Sequence, residues 1–198
     1  MTNAFLETIW KTHLEGKAWQ VKDEFLGLLQ FCLDNKVKNV LEIGTHKGGS
    51  ALGFLMIGCN VTSVDVVKLP EVEVMETLHK IFKFYQRDQY EDMRSFLGHD
   101  IPEFDLLFID GDHSYEHCKK DYEQFSPLIK PGGFVVFHDV LKNELHEKQE
   151  CEVWKVIQEI HQEKSFDQAL RVEGSERYSL TNFIKEGAGW GGITILKV

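Results

Sequence analysis

Two short apolar runs, at 106–109 and 134–137, each stop abruptly in polar side chains. The first reads Leu-Leu-Phe-Ile and runs into Asp110, Gly111, Asp112 and His113. The second reads Phe-Val-Val-Phe and runs into His138 and Asp139. Between them Tyr115, Cys118, Tyr122 and Phe125 recur at three- and four-residue steps, the repeat of one helix face. Apolar runs this short, with a helix between them, read as neighbouring parallel strands buried on both faces. In open α/β sheets the ligand site lies at the carboxyl ends of the strands. Asp110, Asp112, His113, His138 and Asp139 are therefore expected to converge on one crevice. That arrangement suits chemistry and serves no purpose in core packing.

The rest of the chain repeats the alternation. Strands are predicted over 37–43, 61–66 and 81–85, and helices over 50–57, 69–78, 90–97 and 152–161. Val153, Trp154, Ile157 and Ile160 mark the buried side of the last helix. Segments 180–184 and 193–198, joined by a Gly-rich turn, fit a closing antiparallel hairpin. The spacing of Phe25, Leu28, Leu29 and Cys32 predicts helix over 4–35, preceded or opened by Trp10, Trp19 and Gln20. Alternating strands and helices imply an α/β fold with a doubly wound, mostly parallel sheet. The 198 residues are read as one domain, with 1–36 as added N-terminal helices that could cover a substrate.

Net charge is −10, and an acidic surface repels a phosphate backbone, so no nucleic-acid partner is expected. The four cysteines form no C-x-x-C pair and read as reduced, buried thiols of a cytoplasmic protein. No basic segment leading into an apolar run marks a secretory leader. No stretch approaches the roughly 20 apolar residues that span a bilayer, so no membrane partner is expected. A small-molecule ligand is the expected partner, and a homo-oligomer is compatible with the composition.

The first strand leads into Glu42-Ile43-Gly44-Thr45-His46-Lys47-Gly48-Gly49-Ser50. A Gly-rich turn between strand and helix lets a ligand approach the backbone and the helix N-terminus. Asp65 follows at the end of the second strand, where an acid can hold both hydroxyls of a ribose. A dinucleotide fingerprint requires G-x-G-x-x-G. This turn reads G-x-x-x-G-G and lacks the second glycine, where pyrophosphate would press closest. Glu42 would also repel a pyrophosphate and suits a cationic ligand, such as an ammonium or a sulfonium.

With these motifs the sequence resembles the class I S-adenosylmethionine-dependent methyltransferases. V-L-E-I-G-T-H-K-G-G-S is similar to that family's first motif, and S-V-D-V to its second. F-D-L-L-F-I-D-G-D-H-S-Y-E and L-I-K-P-G-G-F-V-V-F-H-D-V resemble the small O-methyltransferases of the macrocin, novobiocin and cephalosporin-hydroxylase-like group. The resemblance covers residues 37–198 and implies a Rossmann-like fold. It also implies S-adenosylmethionine as cofactor and O-methyl transfer to a small hydroxylated acceptor, a sugar among the candidates. A nucleotide-cofactor oxidoreductase and a non-catalytic adenosyl-binding module are the alternatives.

Carried over by position, the resemblance assigns Glu42, Gly44 and Ser50 to the methionine end of the cofactor and Asp65 to its ribose. Asp88 or Gln89 would border the adenine. Asp110, His138 and Asp139 would hold a divalent metal. Oxygen ligands suit Mg²⁺, whereas the imidazole of His138 shifts preference toward Mn²⁺, Fe²⁺ or Zn²⁺. Two residues could accept the acceptor's proton. His113 has the more suitable unperturbed pKa, and Asp112 competes as a helix-capping residue.

Overall fold

A computed structural model describes residues 3–87, 103–163, 180–185 and 189–198. At the N-terminus, α1 (Ala4–Ile9) runs into a π-helical turn (Trp10–Leu14), and α2 (Lys22–Asp34) follows. Then come β1 (Asn39–Ile43), α3 (Gly49–Met56), β2 (Asn60–Asp65), α4 (Pro70–Leu78) and β3 (Phe82–Gln86). The second half holds β4 (Phe104–Ile109), α5 (Tyr115–Phe125), β5 (Ile129–His138), α6 (Glu144–Lys148) and α7 (Val153–Glu163). It closes with β6 (Leu180–Phe183) and β7 (Ile193–Lys197).

The strands form a seven-stranded sheet in the order β3-β2-β1-β4-β5-β7-β6. Neighbours from β3 through β5 are parallel, and β7 runs antiparallel to both β5 and β6. The expected Rossmann-like sheet with a closing antiparallel hairpin is thus what the chain adopts. The strand order reverses between β1 and β4, so the switch-point crevice opens above their carboxyl ends.

Successive residues of a strand point to opposite faces, and the core divides accordingly. Leu106 and Phe108 of β4 pack with Phe25, Leu28 and Phe54 from α2 and α3 on one side. Leu107 and Ile109 pack with Cys118, Phe125 and Val156 from α5 and α7 on the other. Each fully buried side chain of this kind contributes about 1.5–3 kcal/mol of transfer free energy. All four cysteines are buried and free, as their spacing suggested. Among the described residues, no helix is long and apolar enough to cross a membrane.

Two features depart from expectation. The helix over 4–35 is broken: Gly16 adopts φ +75°, and α2 starts only at Lys22. The segment between them carries Trp19, 74% exposed, and Gln20, 8% exposed. The π-helical turn and the left-handed glycine shift the chain off the helical register, which the periodicity of Phe25 to Cys32 could not reveal. In addition, α6 forms where the sequence showed no pattern. Its cap is Asn143, whose Oδ1 accepts the backbone N–H groups of Leu145 and His146, both at 3.0 Å. The helix expected over 90–97 lies outside the described residues.

Candidate active site

Register brings the polar cluster together. Ile43 of β1 pairs with Ile109 of β4, and Ile109 pairs with Phe137 of β5. The next residues along, Gly44, Asp110 and His138, therefore share one edge of the crevice. Gly44 has φ +91°, and a Cβ there would lie 2.2 Å from the carbonyl oxygen of Asp110, so only glycine permits this approach. Asp139 also holds a left-handed backbone, at φ 56°. Aspartate tolerates that region better than most residues. The turn directs the Asp139 carboxylate back toward His138.

Asp110, His113, His138 and Asp139 each offer one ligand atom, and these atoms lie within 4.8 Å of one another. Nδ1 of His138 is 2.9 Å from Oδ1 of Asp110 and 3.2 Å from Oδ2 of Asp139. Nε2 of His113 is 3.4 Å from each of the same two carboxylate oxygens. Both ring nitrogens of His138 and Oδ1 of Asp139 are nevertheless buried without a hydrogen bond. Apart from one long contact of 3.4 Å between Nε2 of His113 and Oδ1 of Asp110, these ligand atoms converge without a hydrogen bond among themselves, an arrangement that fits a cation. A mixed nitrogen and oxygen set of this size fits a divalent transition metal.

Charge in this cluster is strongly coupled. Burial opposes ionisation of Asp110, but the charges of His138 and His113 outweigh it and hold the carboxyl well below the usual carboxylate range. Burial likewise opposes a charged His138, yet the Asp110 and Asp139 carboxylates push its pKa up to about 10. His113 moves the same way: burial lowers its pKa, and Asp110 and Asp139 more than offset that. Without a cation, a proton on His138 therefore offsets the charge of Asp110.

Two cavities meet at this edge. The larger, of about 410 Å³, is lined by Gly44, Asp65, Val66, Gly111, Asp112 and Phe125, among others. The smaller, of about 250 Å³, is lined by Trp19, Gln20, Ser50, His113, His138 and Trp190, among others. Gly44, His46 and Asp110 border both.

The other expected residues differ in where they lie relative to these cavities. Asp65 accepts the backbone N–H groups of Thr45 and His46, both at 2.8 Å, and so ties the Gly-rich turn to β2 while facing the larger cavity. Ser50 opens α3 at the smaller cavity and donates to Oε1 of Glu42 at 2.6 Å. Glu42 itself is fully buried beneath the turn, and its second oxygen takes a hydrogen bond from Ser63. Burial pushes its pKa up to about 8 despite those two hydroxyls. Asp112 accepts the Ser114 backbone N–H at 2.9 Å and lies 3.0 Å from Nδ1 of His117. It borders the larger cavity, on the opposite side of Asp110 from His113. Asp88 and Gln89 lie outside the described residues.

The structure adds residues that the motifs did not mark. Gln20 donates from Nε2 to Oδ2 of Asp110 at 2.6 Å, across 90 residues of sequence. Trp190 comes from the β6–β7 connection and packs edge-on against His146 of α6, with ring centroids 4.4 Å apart. Glu24 accepts the backbone N–H of Gly192 at 2.8 Å and ties that connection to α2. Nothing in the local sequence of Gln20 or Trp190 signals a site, since both arrive by tertiary packing.

A family model described as methyltransferase domain matches residues 41–140, half of the chain. This chain belongs to the methyltransferase-domain family. The match runs from the middle of β1 past the end of β5, and so includes the Gly-rich turn, Asp65, Asp110, His113, His138 and Asp139. Among curated proteins, the uncharacterised protein R132 of Acanthamoeba polyphaga mimivirus is 27% identical over 143 residues. That alignment takes in 65% of this chain and 63% of R132, less than two thirds of its relative's length. Among solved structures, TomG of Streptomyces achromogenes, an O-methyltransferase of tomaymycin synthesis in complex with SAM, superposes with a TM-score of 0.68. It is 14% identical, over 100% of this chain and 91% of that one. MycE, a mycinamycin-pathway methyltransferase solved with Mg, SAH and mycinamycin VI, gives 0.63 at 16% identity, over 98% of this chain and 53% of its own. The class I methyltransferase expectation thus holds at the level of family and fold.

Proposed function

We propose that this methyltransferase moves the methyl group of S-adenosylmethionine to a hydroxyl of a small acceptor, with a divalent cation held by Asp110, His138 and Asp139. The observation that carries this reading is the pair of cavities meeting at Gly44 and Asp110. The larger cavity would take the cofactor's adenosine, Gly44 and Ser50 would hold its methionine end, and the smaller cavity would take the acceptor. Asp65 then takes the ribose hydroxyls. Glu42 acts from beneath, by fixing the hydroxyl of Ser50. The neighbours with bound SAM or SAH, and MycE with Mg, support the same choices.

A bound cation supplies positive charge that favours the alkoxide form of an acceptor hydroxyl. His113 borders the same cavity, on the acceptor side, and accepts that hydroxyl's proton at Nε2. The oxygen attacks in line: the O–CH₃ bond forms as the S–CH₃ bond breaks, and the electron pair stays on sulfur. Asp112 is less suited to this step, because it faces the cofactor cavity and is engaged by Ser114 and His117. Trp19 and Trp190 line the smaller cavity, and their indoles suit a ring-shaped acceptor, a sugar among the candidates. Residues 1–36 supply one wall of that cavity, through Trp19 and Gln20. Four buried free thiols suit a reducing, cytoplasmic setting.

The test combines calorimetry with SAH and an acceptor screen read by mass spectrometry. Methylated product that disappears in the Asp110→Asn variant supports the reading. Tight cofactor binding with no methyl transfer to any hydroxylated acceptor would make the chain a binding module instead.

A further inference from the structure

We infer that Gln20 is a positioning residue, which fixes the Asp110 carboxylate so that a single oxygen, Oδ1, is presented to the cation site. The inference rests on the cation reading above. Gln20 lies outside the family-matched span of 41–140 and precedes the first turn of α2.

Three observations support it. First, the contact is short and charge-assisted: Nε2 reaches Oδ2 of Asp110 at 2.6 Å, and both groups are largely removed from water. The amide cannot be turned over. Reversal would set its oxygen against an ionised carboxylate, a repulsion that assigns nitrogen to this position. Second, the contact divides the carboxylate. Oδ2 belongs to Gln20, which leaves Oδ1 to approach His138 at 2.9 Å and His113 at 3.4 Å. Third, the amide's other end has no internal use. Oε1 is buried without a hydrogen-bond donor, although the side chain borders the smaller cavity. An amide serving only to knit the fold would satisfy both ends inside the protein.

The backbone carries the amide to this place. A Cβ on Gly49 would meet the carbonyl oxygen of Lys17 at 2.5 Å and the Cα of Ala18 at 2.6 Å. The segment before Gln20 is therefore seated directly on the first turn of α3. Ligating carboxylates are commonly held by such outer partners, and losing one weakens metal binding about 10–100-fold.

The test uses Gln20→Leu and Gln20→Met, which keep the volume and remove the donor. Mn²⁺ is titrated calorimetrically into each full-length protein, and the metal-free variants are crystallised. SAH affinity and thermal midpoint check the fold. Either variant suffices if the other fails to fold. The expected result is Mn²⁺ binding weakened about 10–100-fold, SAH affinity unchanged, and the Asp110 carboxylate rotated away from His138. Wild-type Mn²⁺ affinity together with an unmoved Asp110 would overturn the proposal. Asp110→Asn separates the two readings. Equal Mn²⁺ binding by that variant and the wild type would sink the cation site, while a rotated Asp110 in the Gln20 variants would still uphold the positioning role.

Discussion

Nδ1 of His138 sits 2.9 Å from Oδ1 of Asp110, yet both ring nitrogens of His138 lack a hydrogen bond. The two residues end adjacent strands, one step beyond the Ile109–Phe137 pair. A proton on His138, with a pKa near 10, stabilises this arrangement when no metal is bound. A cation and that proton thus compete for the same charge.

Metal affinity should therefore depend on pH. At low pH the imidazolium form of His138 opposes a cation, and binding must release its proton. Mn²⁺ affinity is expected to rise with pH up to about 10, with proton release visible as a buffer-dependent heat in calorimetry. A pH-independent affinity would remove His138 from the ligand set.

Asp65 tests the cofactor end. Asp65→Asn keeps the shape and removes the charge proposed to hold the ribose. The expected loss of SAH affinity is about 1.5–3 kcal/mol, the value of a hydrogen bond to a charged group. Affinity equal to wild type would detach Asp65 from the cofactor and leave it as a tie for the backbone of Thr45 and His46.

Glu42 makes a prediction about stability. Its pKa rises from 4.5 to about 8 on folding, first through burial. Between these values the folded chain keeps a proton that the unfolded chain has lost. Stability should then fall as pH rises across that window, by up to ~1.4 kcal/mol per unit from this group, and level off above it. Urea melts of the Glu42→Gln variant should lack this slope. A slope as steep as wild type would show that another group carries it.

The base is tested by rate. His113→Ala should lower turnover by about 10²–10⁴ with SAH affinity retained. Asp112→Asn should leave turnover near wild type, since its carboxylate serves Ser114 and His117. A slow Asp112→Asn enzyme beside a fast His113→Ala enzyme would reverse the assignment.

Much of this site was legible in the sequence because strand periodicity places it. The runs at 106–109 and 134–137 predict two buried parallel strands, and parallel register then sets Asp110 beside His138. The same logic finds Gly44 and Asp65. Side-chain direction was not legible. Asp112 and His113 are neighbours in sequence yet border different cavities. Glu42 looked available to a ligand but is sealed under Ser50 and Ser63. Gln20 was invisible for a further reason. Its contact spans 90 residues and depends on a helix break at Gly16, which the helical spacing of Phe25 to Cys32 does not foreshadow.

The most direct measurement is a crystal structure of the full-length protein with SAH and Mn²⁺. The predicted result places the adenosine in the cavity bordered by Asp65, with the sulfur beside Gly44. Mn²⁺ is then ligated by Asp110, His138 and Asp139, and the Nε2 atom of His113 faces the remaining open space. A cofactor bound elsewhere, or Mn²⁺ absent from those residues at saturating concentration, would contradict this account.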